Sequence, residues 1–116
     1  MKIHTYQSAS GRDLIAGLIA EYIDTLAEVE QVDAFSVLQC MEKGEFDKIQ
    51  FKQWQKRVYE VYFYKHNRLF YIIADGDNLY LLHACRKQKN RTEKKDKNIV
   101  IKRAKELEKE LGKKFI

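Results

Sequence analysis

Residues 58–84 constrain the fold most. Val58-Tyr59-Glu60-Val61-Tyr62-Phe63-Tyr64 is β-branched and aromatic, and so is Arg68-Leu69-Phe70-Tyr71-Ile72-Ile73-Ala74. Leu79-Tyr80-Leu81-Leu82-His83-Ala84 is a third such run. Lys65-His66-Asn67 separates the first pair and Asp75-Gly76-Asp77-Asn78 the second. Three short apolar runs joined by tight polar turns predict two hairpins in series, an antiparallel meander. The Asp-Gly pair is a characteristic hairpin turn.

The sequence before the meander has a helical period. Leu14, Leu18, Tyr22 and Leu26 lie four apart, with Ile15, Ile19 and Ile23 beside them. This predicts a helix over 12–28, with Ser10 as cap and Asp13 in its first turn. Ala34, Val37, Leu38 and Met41 predict a second helix over 30–43, stopped at Gly44. Residues 2–7 read as a short strand, and 45–57 as a loop with at most a short strand. Beyond the meander, Val100, Ala104, Leu107 and Leu111 give one apolar stripe. They predict a helix capped by Thr92 or Asp96 and ended at Gly112. The expected fold is α+β: two N-terminal helices, an antiparallel β-meander and a C-terminal helix, with helices covering one sheet face and the other left for binding.

With no proline and only five glycines in 116 residues, the chain reads as one domain over 1–116. Cys40 and Cys85 are too few for a disulfide framework and read as free thiols in a cytoplasmic protein. No apolar run is long enough for a signal peptide or membrane span.

Charge points to a polyanion. The net charge is +5, but residues 1–56 sum to −3 and residues 57–116 to +8. Four cations fall in the six positions from Arg86 to Arg91, with no carboxylate among them. Like charges repel, and the natural partner of such a cluster is phosphate.

These segments resemble a known family. Val58-Tyr59-Glu60-Val61 is similar to a Leu-Trp-Glu-Leu strand, and Arg68-Leu69-Phe70-Tyr71 to an Arg-x-x-Tyr strand. Leu82-His83-Ala84-Cys85-Arg86-Lys87-Gln88-Lys89-Asn90-Arg91-Thr92 is similar to Leu-His-Gly-Phe-x-Lys-Lys-Thr-x-Lys-Thr. Together they resemble the RelE/ParE superfamily of bacterial toxins, in its HigB-like, phage-derived branch. The match runs over residues 58–107 and departs at Tyr62 (Arg in the branch), Ala84-Cys85 (Gly-Phe), Gln88-Lys89 (Lys-Thr) and Glu93 (Pro).

The resemblance implies the toxin of a type II toxin–antitoxin system, a ribosome-dependent mRNA endonuclease held in check by a cognate helix-turn-helix antitoxin. The implied cleavage is attack of a ribose 2′-OH on the adjacent phosphate, without metal or cofactor. It needs a base, an acid at the leaving oxygen and cations around the phosphorane. The candidates for catalysis are Arg68, Lys87, Lys89 and Arg91, with a Lys inside a cation cluster able to titrate near neutrality. The candidates for RNA binding are Arg57, Lys65, His66, Arg86, Lys94 and Lys95. Glu60 reads as partner to a buried cation such as Arg57 or Arg68, His83 as a hydrogen-bonded core or edge residue, and Trp54 as core or antitoxin-facing. Two other functions share the fold: a ParE-like gyrase inhibitor, and an RNA-binding module without catalysis.

Overall fold

The computed structural model describes residues 1–5, 14–86 and 92–116, and for residues 14–18 the backbone. The expectations placed on Ser10, Asp13, Lys87, Gln88, Lys89 and Arg91 lie outside the described residues.

The elements run β1 (Lys2–Thr5), α1 (Leu14–Asp24), α2 (Glu28–Glu42), a short 3-10 turn (Phe46–Lys48), β2 (Gln50–Gln55), β3 (Val58–Phe63), β4 (Asn67–Ile73), β5 (Asn78–Arg86) and α3 (Lys94–Leu111). The α+β class and the C-terminal helix match the sequence pattern. The sheet does not match the antiparallel meander expected of it. It has five strands in the order β1-β5-β4-β3-β2, and β1 joins β5 in parallel, so the sheet is mixed. Two causes escaped the pattern. The chain opens on a strand whose partner lies some 75 residues away in sequence, Lys2 opposite Asn78. And residues 50–55, within a stretch read as a loop with at most a short strand, form a six-residue edge strand, Lys52 and Gln53 opposite Glu60 and Tyr59.

The helices also lie on both faces of the sheet rather than one. Successive strand residues point to opposite faces. Asn67 and Arg86 pair across β4 and β5, and both donate to Glu30 of α2. Phe70 and His83 pair on the other face, and His83 bonds Asp96 of α3. The core is therefore double: Met41, Leu69 and Tyr71 belong to it, and so do Leu82, Leu107 and Phe115, all but inaccessible to solvent. α3 packs on β5 and leaves the Lys52–Glu60–Tyr62–Arg68 corner of its face partly open. Gly112 ends α3 as expected, at φ +65° with its N–H on Glu108 O, a left-handed backbone that glycine adopts without a Cβ clash. Thr92 and Asp96 are not its caps: the N-cap is Glu93, without a side-chain cap bond.

The β3–β4 turn is strained. Tyr64 and Lys65 take φ +36° and +67°, a region that costs a non-glycine residue about 1–2 kcal/mol. Side chains hold it there. Asp33 accepts from the Tyr64 N–H at 2.6 Å, Asn67 Nδ2 donates to Tyr64 O at 3.1 Å, and Arg68 Nη1 donates to Lys65 O at 2.9 Å. Lys65→Gly is expected to raise stability by about 0.5 kcal/mol, the strain relief exceeding the added freedom of the unfolded chain. Denaturant titration checks it. If Lys65 contacts RNA, the same variant binds RNA more weakly while folding at least as well.

Candidate nucleic-acid interface

Arg68 is the centre of the open corner. Register places it between Tyr62 of β3 and Cys85 of β5. Its Nη1 donates to the carbonyls of Lys65 and Asn67 at 2.9 and 3.0 Å, so the β3–β4 turn fixes the guanidinium. The guanidinium lies 3.9 Å from the centre of the Tyr62 ring, a stacked cation–π arrangement that suits planar Arg. Its Nε is shut off from water and makes no hydrogen bond among the described residues.

Tyr62 is held in turn. Its hydroxyl donates to Glu60 Oε1 at 2.9 Å, and Lys52 Nζ lies 3.4 Å from the same oxygen. Glu60 is fully buried. It does serve a cation, and among the described residues the ion pair is with Lys52, directly opposite on β2, rather than with Arg57 or Arg68. Burial pushes the Tyr62 phenol above its usual pKa, with the Glu60 hydrogen bond adding to it. Hydrogen bonding to Tyr62, and the charge of Glu60, push the Lys52 ammonium up. Tyr62 therefore remains a proton-bearing plate and Lys52 a fixed cation. This corner offers positioned positive charge rather than a group that titrates near neutrality.

The other candidates fall in three places. Lys65 and His66 are exposed on the turn beside Arg68. Lys94 and Lys95 are exposed on the first turn of α3. Arg86 is turned away from Arg68: it lies in the next cross-strand row, facing α2, and binds Glu30 at 2.6 Å. Arg57 sits at the opposite end of β3, five residues or about 17 Å along the strand from Tyr62. There it stacks over Phe115 and donates to Ile73 O. Lys87, Lys89 and Arg91 lie outside the described residues, and the strand that leads to them ends at Arg86, opposite Asn67. At the far end of that segment Thr92 accepts from the Trp54 indole at 3.0 Å, so Trp54, which also packs edge-on against Phe70, ties β2 to the approach of α3. Lys52 is the site residue the sequence reading missed. The available signal was Glu60: a carboxylate in an apolar strand needs a cation on a neighbouring strand.

Beneath the corner, His83 and Asp96 bond at 2.8 Å, and Arg103 Nη1 approaches His83 Nδ1 at 3.3 Å while donating to Leu82 O. His83, Cys85 and Asp96 bring their donor atoms within 4.8 Å of one another, near enough to share a metal ion. The Arg103 contact argues for another use. A guanidinium facing Nδ1 makes that nitrogen the acceptor and leaves the proton on Nε2, aimed at Asp96. A metal-bound Nε2 would need the opposite tautomer. Burial lowers the His83 pKa, outweighing the Asp96 carboxylate. The folded state therefore binds this proton less readily than the unfolded chain. Stability from His83 is fully present above about pH 6.5, the unfolded value, and is lost as pH falls from there towards the lower folded pKa. Urea midpoints measured from pH 8 to pH 5 are expected to fall in that window, and His83→Gln to flatten the slope.

A family model described as Phage derived protein Gp49-like (DUF891) matches residues 21–105. The chain belongs to this family. The matched span of the Gp49-like protein runs from the end of α1 into α3 and includes Lys52, Glu60, Tyr62, Arg68, His83 and Asp96. The Gp49-like family is phage-derived and associated with toxin–antitoxin systems. Comparison with curated proteins returned no match.

Proposed function

We propose that this Gp49-like protein is the toxin of a toxin–antitoxin pair and acts as an endoribonuclease on mRNA at the ribosome, stopping translation until an antitoxin binds it. One observation carries the reading. Arg68 is held against Tyr62, partly out of water, at a strand end that also presents Lys52, Lys65 and His66. Desolvating a guanidinium costs free energy that a freely solvated arginine avoids. A positioned guanidinium suits an oxyanion whose charge grows during reaction. In the proposed cleavage, Arg68 and Lys52 brace the phosphate as the ribose 2′-OH gives up its proton and its oxygen attacks phosphorus, and the P–O5′ bond breaks to leave a 2′,3′-cyclic phosphate and a protonated 5′-OH; Tyr62 keeps Arg68 flat, and Lys65 and His66 contact the backbone. Lys87, Lys89 and Arg91 are proposed as further cations on the phosphorane, with proton transfer assigned to the lysines among them. Association with toxin–antitoxin systems supports the toxin half of the reading.

The test is a cell-free translation reaction given purified protein, with mRNA followed by gel. Arrest with mRNA cut only while it is translated is the expected result. Arrest with intact mRNA would remove the nuclease, and a loss of supercoiling activity in purified gyrase would then favour the gyrase-inhibitor reading. Salt-sensitive RNA binding without cleavage or arrest would leave an RNA-binding module.

A further inference from the structure

The first two helices carry a surface that the RNA reading does not use. Residues 14–42 hold six carboxylates and no Lys, Arg or His, in a chain of net charge +5. Glu30 is engaged by Asn67 and Arg86, and Asp33 by the Tyr64 N–H. On α2 itself Glu28 and Glu42 are exposed, with Lys43 exposed at its C-cap, whereas Glu21 and Asp24 of α1 border the cleft lined by His83, Ile99 and Arg103.

α2 is also apolar on two sides. Ala34, Val37 and Met41 are buried against the sheet side. On the far side Val29, Val32 and Phe35, three apart, are 57%, 63% and 55% exposed, the most exposed large apolar side chains among the described residues. A helix that only covers a sheet needs one apolar face, and a second marks a second contact.

The chemistry narrows the occupant. From Glu28 to Glu42 the helix holds four carboxylates and no cation, which disfavours RNA. A second copy meeting α2 with its own α2 would set Glu28 and Glu42 against the same carboxylates. The basic element of a second copy, α3, exposes no large apolar side chain among the described residues. What fits is a helix with an apolar stripe flanked by cations.

We propose that the outer face of α2 is the docking site for a basic-flanked amphipathic helix of the partner protein that neutralises this chain. The naming of that partner rests on the toxin reading above; the surface chemistry does not. α2 and Arg68 lie on opposite sheet faces, so this partner docks away from the phosphate corner.

The test has two arms. In the first, the full chain is titrated into a fluorescent designed helical peptide with a leucine stripe flanked by lysines. Saturable binding that weakens about tenfold or more in V32S/F35S is expected. A scrambled peptide of the same composition and a glutamate-flanked version should both bind far more weakly. Equal binding of the scrambled peptide, or no effect of V32S/F35S, would overturn the proposal. So would a wild-type dimer in sedimentation that V32S/F35S makes monomeric, since the occupant would then be a second copy. In the second arm, wild type and V32S/F35S are each added to cell-free translation with the protein encoded beside this chain. Neutralisation of wild type but not of the variant is expected, and equal neutralisation would overturn the assignment. If neither chain arrests translation, the toxin reading and the partner's identity fall together, while the peptide arm still decides the surface.

Discussion

Arg68→Ala is expected to lower mRNA cleavage by about 10²–10³-fold, the scale of removing one positioned charge from a developing oxyanion. The variant should still fold. Its loss comprises a stacked cation–π contact and hydrogen bonds to two carbonyls near the surface, about 1–2 kcal/mol together. Arg68→Lys separates charge from shape. Lysine keeps the charge but cannot lie flat on Tyr62 while reaching the Lys65 carbonyl. It should recover only part of the activity, and Tyr62→Phe, which keeps the plate, should cost less than Tyr62→Ala. Single-turnover cleavage on programmed ribosomes reads these differences, with a thermal melt beside each. Full activity in Arg68→Ala with an unchanged melt would show that the guanidinium is only a surface charge.

The largest expected effect on stability belongs to Asn67. It is completely buried and joins three elements. Its Oδ1 accepts from the Tyr22 hydroxyl of α1 at 2.5 Å, and its Nδ2 donates to Glu30 of α2 at 3.0 Å and to the Tyr64 carbonyl of the strained turn. Glu30 also takes Arg86 of β5. Its carboxyl is held below the usual range, first by the Asn67 hydrogen bond. Burial drives the Tyr22 phenol up to about 12, so it stays a donor. Asn67→Ala leaves a part-buried hydroxyl and a buried carboxylate each short of a partner and releases the turn. It is expected to cost about 2–4 kcal/mol, a melting shift on the order of 10 °C for a chain of this size. Tyr22→Phe removes one donor and should cost about 1 kcal/mol. Asn67→Asp places a second carboxylate against Glu30 and should be at least as harmful as alanine. Equal melts for wild type and Asn67→Ala would mean the network is open to water.

Much of the fold was legible because it depends on local patterns. Residues 58–86 announce β3, β4 and β5 through β-branched and aromatic runs between Asp-Gly and Lys-His turns, and α3 shows its single apolar stripe. What the sequence hid depends on contacts far apart in the chain. Nothing local in Lys2–Thr5 states that it will lie parallel to Asn78–Leu81. Nothing in Phe51-Lys52-Gln53 states that it is the edge strand, since Gln50 to Gln53 are exposed whichever face they are on, and a strand with neither face buried shows no apolar alternation. The site divides in the same way. Arg68 stood out through its motif and its place at a strand start. Lys52 did not, because its role comes from lying opposite Glu60. Arg86 looked like one more cation in a basic run, but a residue later in the pleat faces the other side of the sheet, and it spends its charge on Glu30. The apolar outer face of α2, formed by Val29, Val32 and Phe35, was not read from the sequence; the buried positions of Ala34, Val37 and Met41 show that those three face away from the sheet.

The most direct measurement maps mRNA ends in a translating cell-free reaction, with wild-type protein beside Arg68→Ala. The expected result is new 5′-OH ends within translated codons, matched by 2′,3′-cyclic phosphates upstream, appearing with wild type and absent with Arg68→Ala. Full-length mRNA in a reaction whose protein synthesis the wild-type chain has stopped, or the same new ends with Arg68→Ala as with wild type, would contradict it.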